Sequence, residues 1–92
     1  MNNQSIIPLY LFKECVIEMG VYIESGNEVK HLANVDEKEC ALQCSLTEGC
    51  IAWTFRISSS QCWLKSDDSQ KRKGKDWITG AKCGVPSKYQ EP

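Results

Sequence analysis

The sequence predicts a small disulfide-rich α+β domain, an antiparallel β-sheet with one α-helix packed across it. Three observations predict it. Six cysteines stand in 92 residues, with Cys40, Cys44, Cys50 and Cys62 close together and Cys15 and Cys83 outside them. Residues 35–46 carry helix start and stop signals. The rest of the chain between Cys15 and Cys83 divides into short runs rich in β-branched and aromatic residues, separated by polar turns. A chain this short buries limited apolar surface and is commonly stapled where thiols oxidise, so an extracellular, luminal or cell-surface compartment is expected.

Met1 to Glu14 lack the basic start and small-residue cleavage site of an intact secretory signal. The apolar run from Ile6 to Phe12 is interrupted by Pro8 and is far shorter than the roughly 20 residues that span a bilayer. Residues 1–14 are therefore expected to be a lead-in that adds at most an edge strand. The export signal is expected elsewhere, in a larger secreted protein of which this chain is one module. Residues 15–84 form the expected domain, and residues 85–92, with Pro86 and Pro92, the start of a linker.

Strands are predicted at Cys15–Glu18, Val21–Ile23, Glu28–Leu32, Ile51–Arg56, Gln61–Leu64 and Trp77–Cys83. Ser25, Gly26 and Asn27 supply a turn before the third of these, and Ser58, Ser59 and Ser60 a polar tip between the fourth and fifth. Between them the helix spans Val35 to Leu46. Asp36 is its N-cap, Glu39 follows three residues later in a box-like pair, and Gly49 lies beyond its end.

The helix places Cys40 and Cys44 on one face. Residues four apart sit about 5 to 6 Å apart at Cβ, whereas a disulfide wants roughly 3.5 to 4.5 Å, so these two do not bond each other. Six cysteines allow fifteen pairings, and this exclusion leaves twelve. Loop entropy favours closure of Cys50 back to Cys44. Cys40 then needs a more distant partner.

Hydrophobic residues make up 41% of the chain and include Trp53, Trp63 and Trp77, enough for a real but small core. Eleven basic side chains against twelve acidic ones leave a formal charge of −1. No global field then recruits nucleic acid or an anionic membrane, and neither is an expected partner.

The segments HLANVDEKECALQC (His31 to Cys44), CIAWTF (Cys50 to Phe55) and CWLKS (Cys62 to Ser66) together resemble the PAN or apple domain family. Gly20, Val21 and Tyr22 resemble that family's early aromatic turn. The resemblance implies the PAN/apple fold and the pairs Cys15–Cys83, Cys40–Cys62 and Cys44–Cys50, the outer bridge marking the apple form. It further implies a recognition role, since the family supplies binding modules to coagulation precursors, plasminogen-related growth factors and the microneme adhesins of protozoan parasites. The Pro8-containing lead-in and the short lysine-rich loop depart from the family pattern, so the resemblance names no partner.

No catalytic constellation is legible. His31 is the sole histidine, no G-x-S-x-G motif occurs, and the cysteines are accounted for by pairing, so an enzyme is not expected. Cys40, Cys44 and Cys50 with His31 have the donor types of a zinc site, but that set strands the other three cysteines, and neither metal nor cofactor is expected. Lys71, Arg72, Lys73 and Lys75 form a basic cluster, read against the plainer alternative of a solvated loop. Of the tryptophans, Trp53 and Trp63 are expected in the core. Trp77, beside the basic cluster, is the candidate for exposure and, with Lys75, for contact with a sugar.

The function expected is non-catalytic extracellular recognition, a protein or glycan on a cell surface or in extracellular fluid being bound in adhesion. Loops 24–28, 57–60 and 66–76 are its expected variable surfaces. Neighbouring PAN modules are further expected partners, and storage in a secretory organelle before release fits such an adhesin. The alternatives are a structural spacer or assembly module, and an extracellular regulator of a protease or receptor.

Overall fold

Alternation decides the layers. Trp53 and Phe55 on one strand, Cys62 and Leu64 on the next, and Ile78 on a third project to the same side of a sheet and meet Cys40, Cys44 and Cys50 in one buried cluster. In this computed structural model, which describes residues 16–24 and 26–83, the elements run β1 (Ile17–Ile23), β2 (Glu28–Ala33), α1 (Glu37–Leu46), β3 (Ala52–Arg56), β4 (Gln61–Lys65) and β5 (Lys71–Ala81). The strands form a five-stranded sheet in the order β1-β5-β3-β4-β2, each neighbouring pair antiparallel. This is the α+β architecture that the cysteine and strand patterns predict. The expectations for the lead-in, the C-terminal linker and Cys15 lie outside the described residues.

β3 sits at the centre, and its first four residues, Ala52 to Phe55, are buried whichever face they point to. Trp53 is 1% exposed and lies over Gly80, its registered partner on β5. A β-carbon at Gly80 would come within 2.3 Å of the Trp53 Cζ2, so only glycine allows the indole this close to the strand.

α1 crosses β3 and β4. Asp36 caps it as expected, its Oδ1 accepting from the Glu39 backbone N–H at 2.8 Å. The reciprocal half of the expected box is replaced: the Glu39 carboxylate instead accepts from Gln43 Nε2 at 2.8 Å. The buried stripe of the helix is Cys40, Cys44 and Ser45, with no large apolar side chain. Covalent bonds take the place of a broad apolar face. Cys40 is joined to Cys62 on β4, and Cys44 to Cys50 just before β3. These are two of the pairs implied by the family resemblance. Cys83 is disulfide-bonded as well, while its expected partner Cys15 is outside the described residues. The Ser45 hydroxyl donates to the Cys83 carbonyl at 2.9 Å and ties the end of the domain to the helix.

Two strand expectations need correction. Of the two expected strands Cys15–Glu18 and Val21–Ile23, Ile17 and Glu18 of the first and all of the second belong to a single β1, continued through an irregularity of pairing at Gly20. β5 begins at Lys71, six residues before the expected Trp77, so 71–76 is strand and the connecting loop is only 66–70. Lysine, glycine and aspartate are poor strand formers, but Val21, Tyr22 and Ile23 offer Lys73, Arg72 and Lys71 an antiparallel partner, and pairing overrides propensity. The remaining strand ends shift by one or two residues.

On the face away from α1, Thr54 and Thr79 are register partners, each 2% exposed, with hydroxyls 2.9 Å apart. Thr79 donates onward to the Val21 carbonyl at 2.6 Å, so Thr54 donates to Thr79. From Met19 to Val21 the pairing on β5 jumps from Ile78 to Lys73. Beyond this irregularity Ile23 is buried, at 3% exposed.

Candidate functional site

The sheet face away from α1 carries an aromatic strip. Tyr22 on β1 packs on Trp77 of β5 with ring centroids 5.0 Å apart, Trp77 on Trp63 of β4 at 5.3 Å, and Trp63 on His31 of β2 at 5.0 Å. Successive rings are inclined by 34°, 43° and 37°. The strip thus crosses the sheet from one edge strand to the other. Tyr22, Trp63 and Trp77 are half-buried and His31 is exposed.

Each ring is placed by an identifiable local cause. His31 and Trp63 are direct register partners in the β2–β4 pair. Trp63 lies between Cys62 and Leu64, both fully buried toward the helix, and alternation sends it to the other face. The expectation that Trp63 is core is therefore corrected: adjacency to a bridged cysteine places a strand residue on the opposite side. Trp77 is set against Ile78 in the same way. Gly74 seats Tyr22 and Trp77 together, since a β-carbon there would come within 2.7 Å of Trp77 Cδ1 and 2.9 Å of Tyr22 Cδ1.

Charged groups surround Trp77. The Arg56 guanidinium lies 5.6 Å from the ring centroid, within cation–π range. Arg56 Nε also donates to Asp76 at 3.1 Å, and the same carboxylate accepts from the Ser58 backbone N–H at 3.0 Å and from the Ser58 hydroxyl. These bonds, the Ser58 hydroxyl foremost and then Arg56, hold the Asp76 carboxyl below its ordinary range.

The basic cluster divides in two. Lys71 pairs with Glu18 at 3.1 Å, and Arg72 with Glu24, whose hydrogen bond and charge raise the guanidinium pKa. Lys73 and Lys75, either side of Gly74, are exposed and have no carboxylate partner among the described residues. All four belong to strand β5 and not to a loop. Trp77 is half-buried between Tyr22 and Trp63, more enclosed than its expected role as the exposed tryptophan.

Cys40, Cys44 and Cys50 are spent in disulfides and cannot supply the thiolates of a zinc site. Among the described residues no group of three or more His, Cys, Asp or Glu could hold a metal ion, and no helix is long and apolar enough to cross a membrane.

A family model, the PAN domain, matches residues 15–83. The chain belongs to the PAN domain family. A comparison with curated proteins returned no match. PAN domains are generally protein- or carbohydrate-binding, non-catalytic modules, and a disulfide-rich PAN domain points to the extracellular space. In this PAN domain, Tyr22, Trp63 and His31 are the strip residues that the sequence does not assign to a binding face: Tyr22 enters only through the family's aromatic turn, Trp63 as core, and His31 only in the zinc set that is set aside. The alternation of His31 with the half-buried Leu32, and the pairing of β2 with β4, are the signals that place His31.

Proposed function

We propose that this PAN domain is a non-catalytic extracellular recognition module whose binding face is the strip Tyr22, Trp77, Trp63 and His31, acting in adhesion to a protein or glycan on another surface. One observation carries the reading. Two indole N–H groups and a phenol hydroxyl, those of Trp63, Trp77 and Tyr22, have no hydrogen-bond partner in the protein among the described residues. Amphipathic rings with free donors are the type of side chain that dominates recognition surfaces, because large apolar area and directional bonding come with few torsions to order. The disulfides support the role by holding strands and helix in place before a partner arrives, which limits the ordering entropy of binding.

The test compares wild type with Trp63→Ala and Trp77→Ala on a glycan array and on an array of extracellular proteins, with unchanged disulfide maps as the fold control. Ligands retained by wild type are expected to lose at least tenfold in affinity in both variants. Retention unaffected by either substitution would move the binding face elsewhere. A wild-type domain that retains nothing yet associates with a neighbouring module would favour the spacer alternative.

A further inference from the structure

We propose that a disulfide between Cys15 and Cys83 makes this module a force-bearing link: tension applied along the chain crosses the domain through one covalent bridge and bypasses the fold. The inference goes beyond the recognition reading and does not depend on which face binds. The pairing follows by elimination. Cys83 is disulfide-bonded, and Cys40, Cys44, Cys50 and Cys62 are spent on one another, which leaves Cys15 as the sole remaining cysteine. These two cysteines are also the first and last residues of the match to the PAN domain family.

The fold is weakest where that bridge lies. Chain entry and exit are side by side: the Ala81 N–H donates to the Val16 carbonyl at 3.0 Å, and Ile17 is registered on Gly80. β1 is an edge strand with β5 as its single neighbour. Tension that draws Val16 away from Lys82 opens this antiparallel pair from its end, so the bonds at the fork carry the load in turn, each contributing little on its own. Regular pairing lasts only from Ile17 to Met19 before the register breaks. The other two bridges give no help there, since both lie within residues 40–62 and neither cross-links β1, β2 or β5. Hydrogen bonds also hold the exit, from the Ser45 hydroxyl to the Cys83 carbonyl at 2.9 Å and from the Lys82 N–H to the Ile51 carbonyl at 2.8 Å.

A bridge across entry and exit changes the load path. An ordinary disulfide joins Cα atoms about 5.5 to 6 Å apart, so everything between its two cysteines is taken out of the line of tension. Adhesion loads a module through the chain on either side of it. The aromatic strip is what the bridge then protects, because Tyr22 of β1 and Trp77 of β5, in ring contact at 5.0 Å, sit on the two strands that tension would separate.

The test pulls single molecules of the disulfide-intact chain in two geometries. Handles at Ser59, exposed in the β3–β4 turn, and at residue 92 load a path that the bridge does not span, and they set the force at which the fold gives way. With handles at residues 1 and 92, wild type at that force is expected to show no unfolding step. The double variant Cys15→Ser, Cys83→Ser, its inner bridges verified by peptide mapping, is expected to unfold there in a step of about 150 Å, the length of residues 16–39 and 63–82 extended at ~3.4 Å each. Its folded lifetime under that load should be shorter than that of wild type by about a hundredfold or more, forced unfolding being governed by the unfolding rate. A wild-type step in the end-to-end geometry, or a variant that withstands the load as wild type does, overturns the proposal. So does a peptide map of wild type in which Cys15 and Cys83 are not joined. If the variant does not fold, the two wild-type geometries decide alone, since a molecule that gives way end to end at the Ser59 force is not shielded by a bridge.

Discussion

Gly80 and Trp53 are the residue pair on which the centre of the sheet depends. The indole is 1% exposed and occupies the space where a side chain at Gly80 would begin, 2.3 Å from its Cζ2. Trp53 is walled by β5 and the bridged helix and has no free direction in which to yield. Gly80→Ala is thus expected to destabilise the domain by about 1 to 3 kcal/mol, the usual cost of overpacking a core, as measured by urea unfolding with the disulfides intact. Wild-type stability in this variant would mean that the indole has room to shift.

Between elements, Asp76 does for the β3–β4 turn what Asp36 does for the helix. Its carboxylate gathers Arg56 Nε, the Ser58 backbone N–H and the Ser58 hydroxyl, while its own carbonyl accepts from the Ile57 N–H at 2.8 Å. The turn is thereby fastened to β5 beside Trp77. Because Asp76 is held below the ordinary carboxylate range, its contribution is complete above the unfolded pKa of about 3.9 and is lost as pH falls through the depressed folded value. Asp76→Asn is expected to lower Tm slightly near neutrality, as befits an exposed ion pair, and the difference from wild type should vanish in acid. A Tm difference that persists at the acid end would show that something other than the carboxylate charge fastens the turn.

For the whole molecule the bridges substitute for core. α1 buries two cysteines and a serine, so its docking rests on Cys40–Cys62 and Cys44–Cys50 more than on apolar contact. Chain-entropy estimates of about 3.4 and 2.4 kcal/mol for closing these loops are large beside the total stability of about 5 to 15 kcal/mol of a small domain. The Cys40→Ala, Cys62→Ala pair should therefore cost more than Cys44→Ala, Cys50→Ala in denaturant titrations. Reduction of all bridges should abolish the cooperative transition. The reverse order of the two pairs would mean that native-state strain, and not loop length, sets the contributions.

The sequence by itself determined the helix, its Asp36 cap, the strands at 28–32, 51–56 and 61–64, and the family, because each is written in neighbouring residues: a capping side chain, a two-residue alternation, a cysteine spacing. It did not determine that 71–76 would be strand, since those lysines extend only because Val21 to Ile23 lie alongside them. Of the four strip residues only Trp77 was legible as a site residue. Trp77 and the basic residues are conspicuous in composition, while Tyr22, Trp63 and His31 join them only once the order β1-β5-β3-β4-β2 brings together strands that are distant in the chain. Local chemistry fixes the elements and the face toward which each side chain points. Which side chains become neighbours on that face is a property of strand order, decided by the tertiary structure.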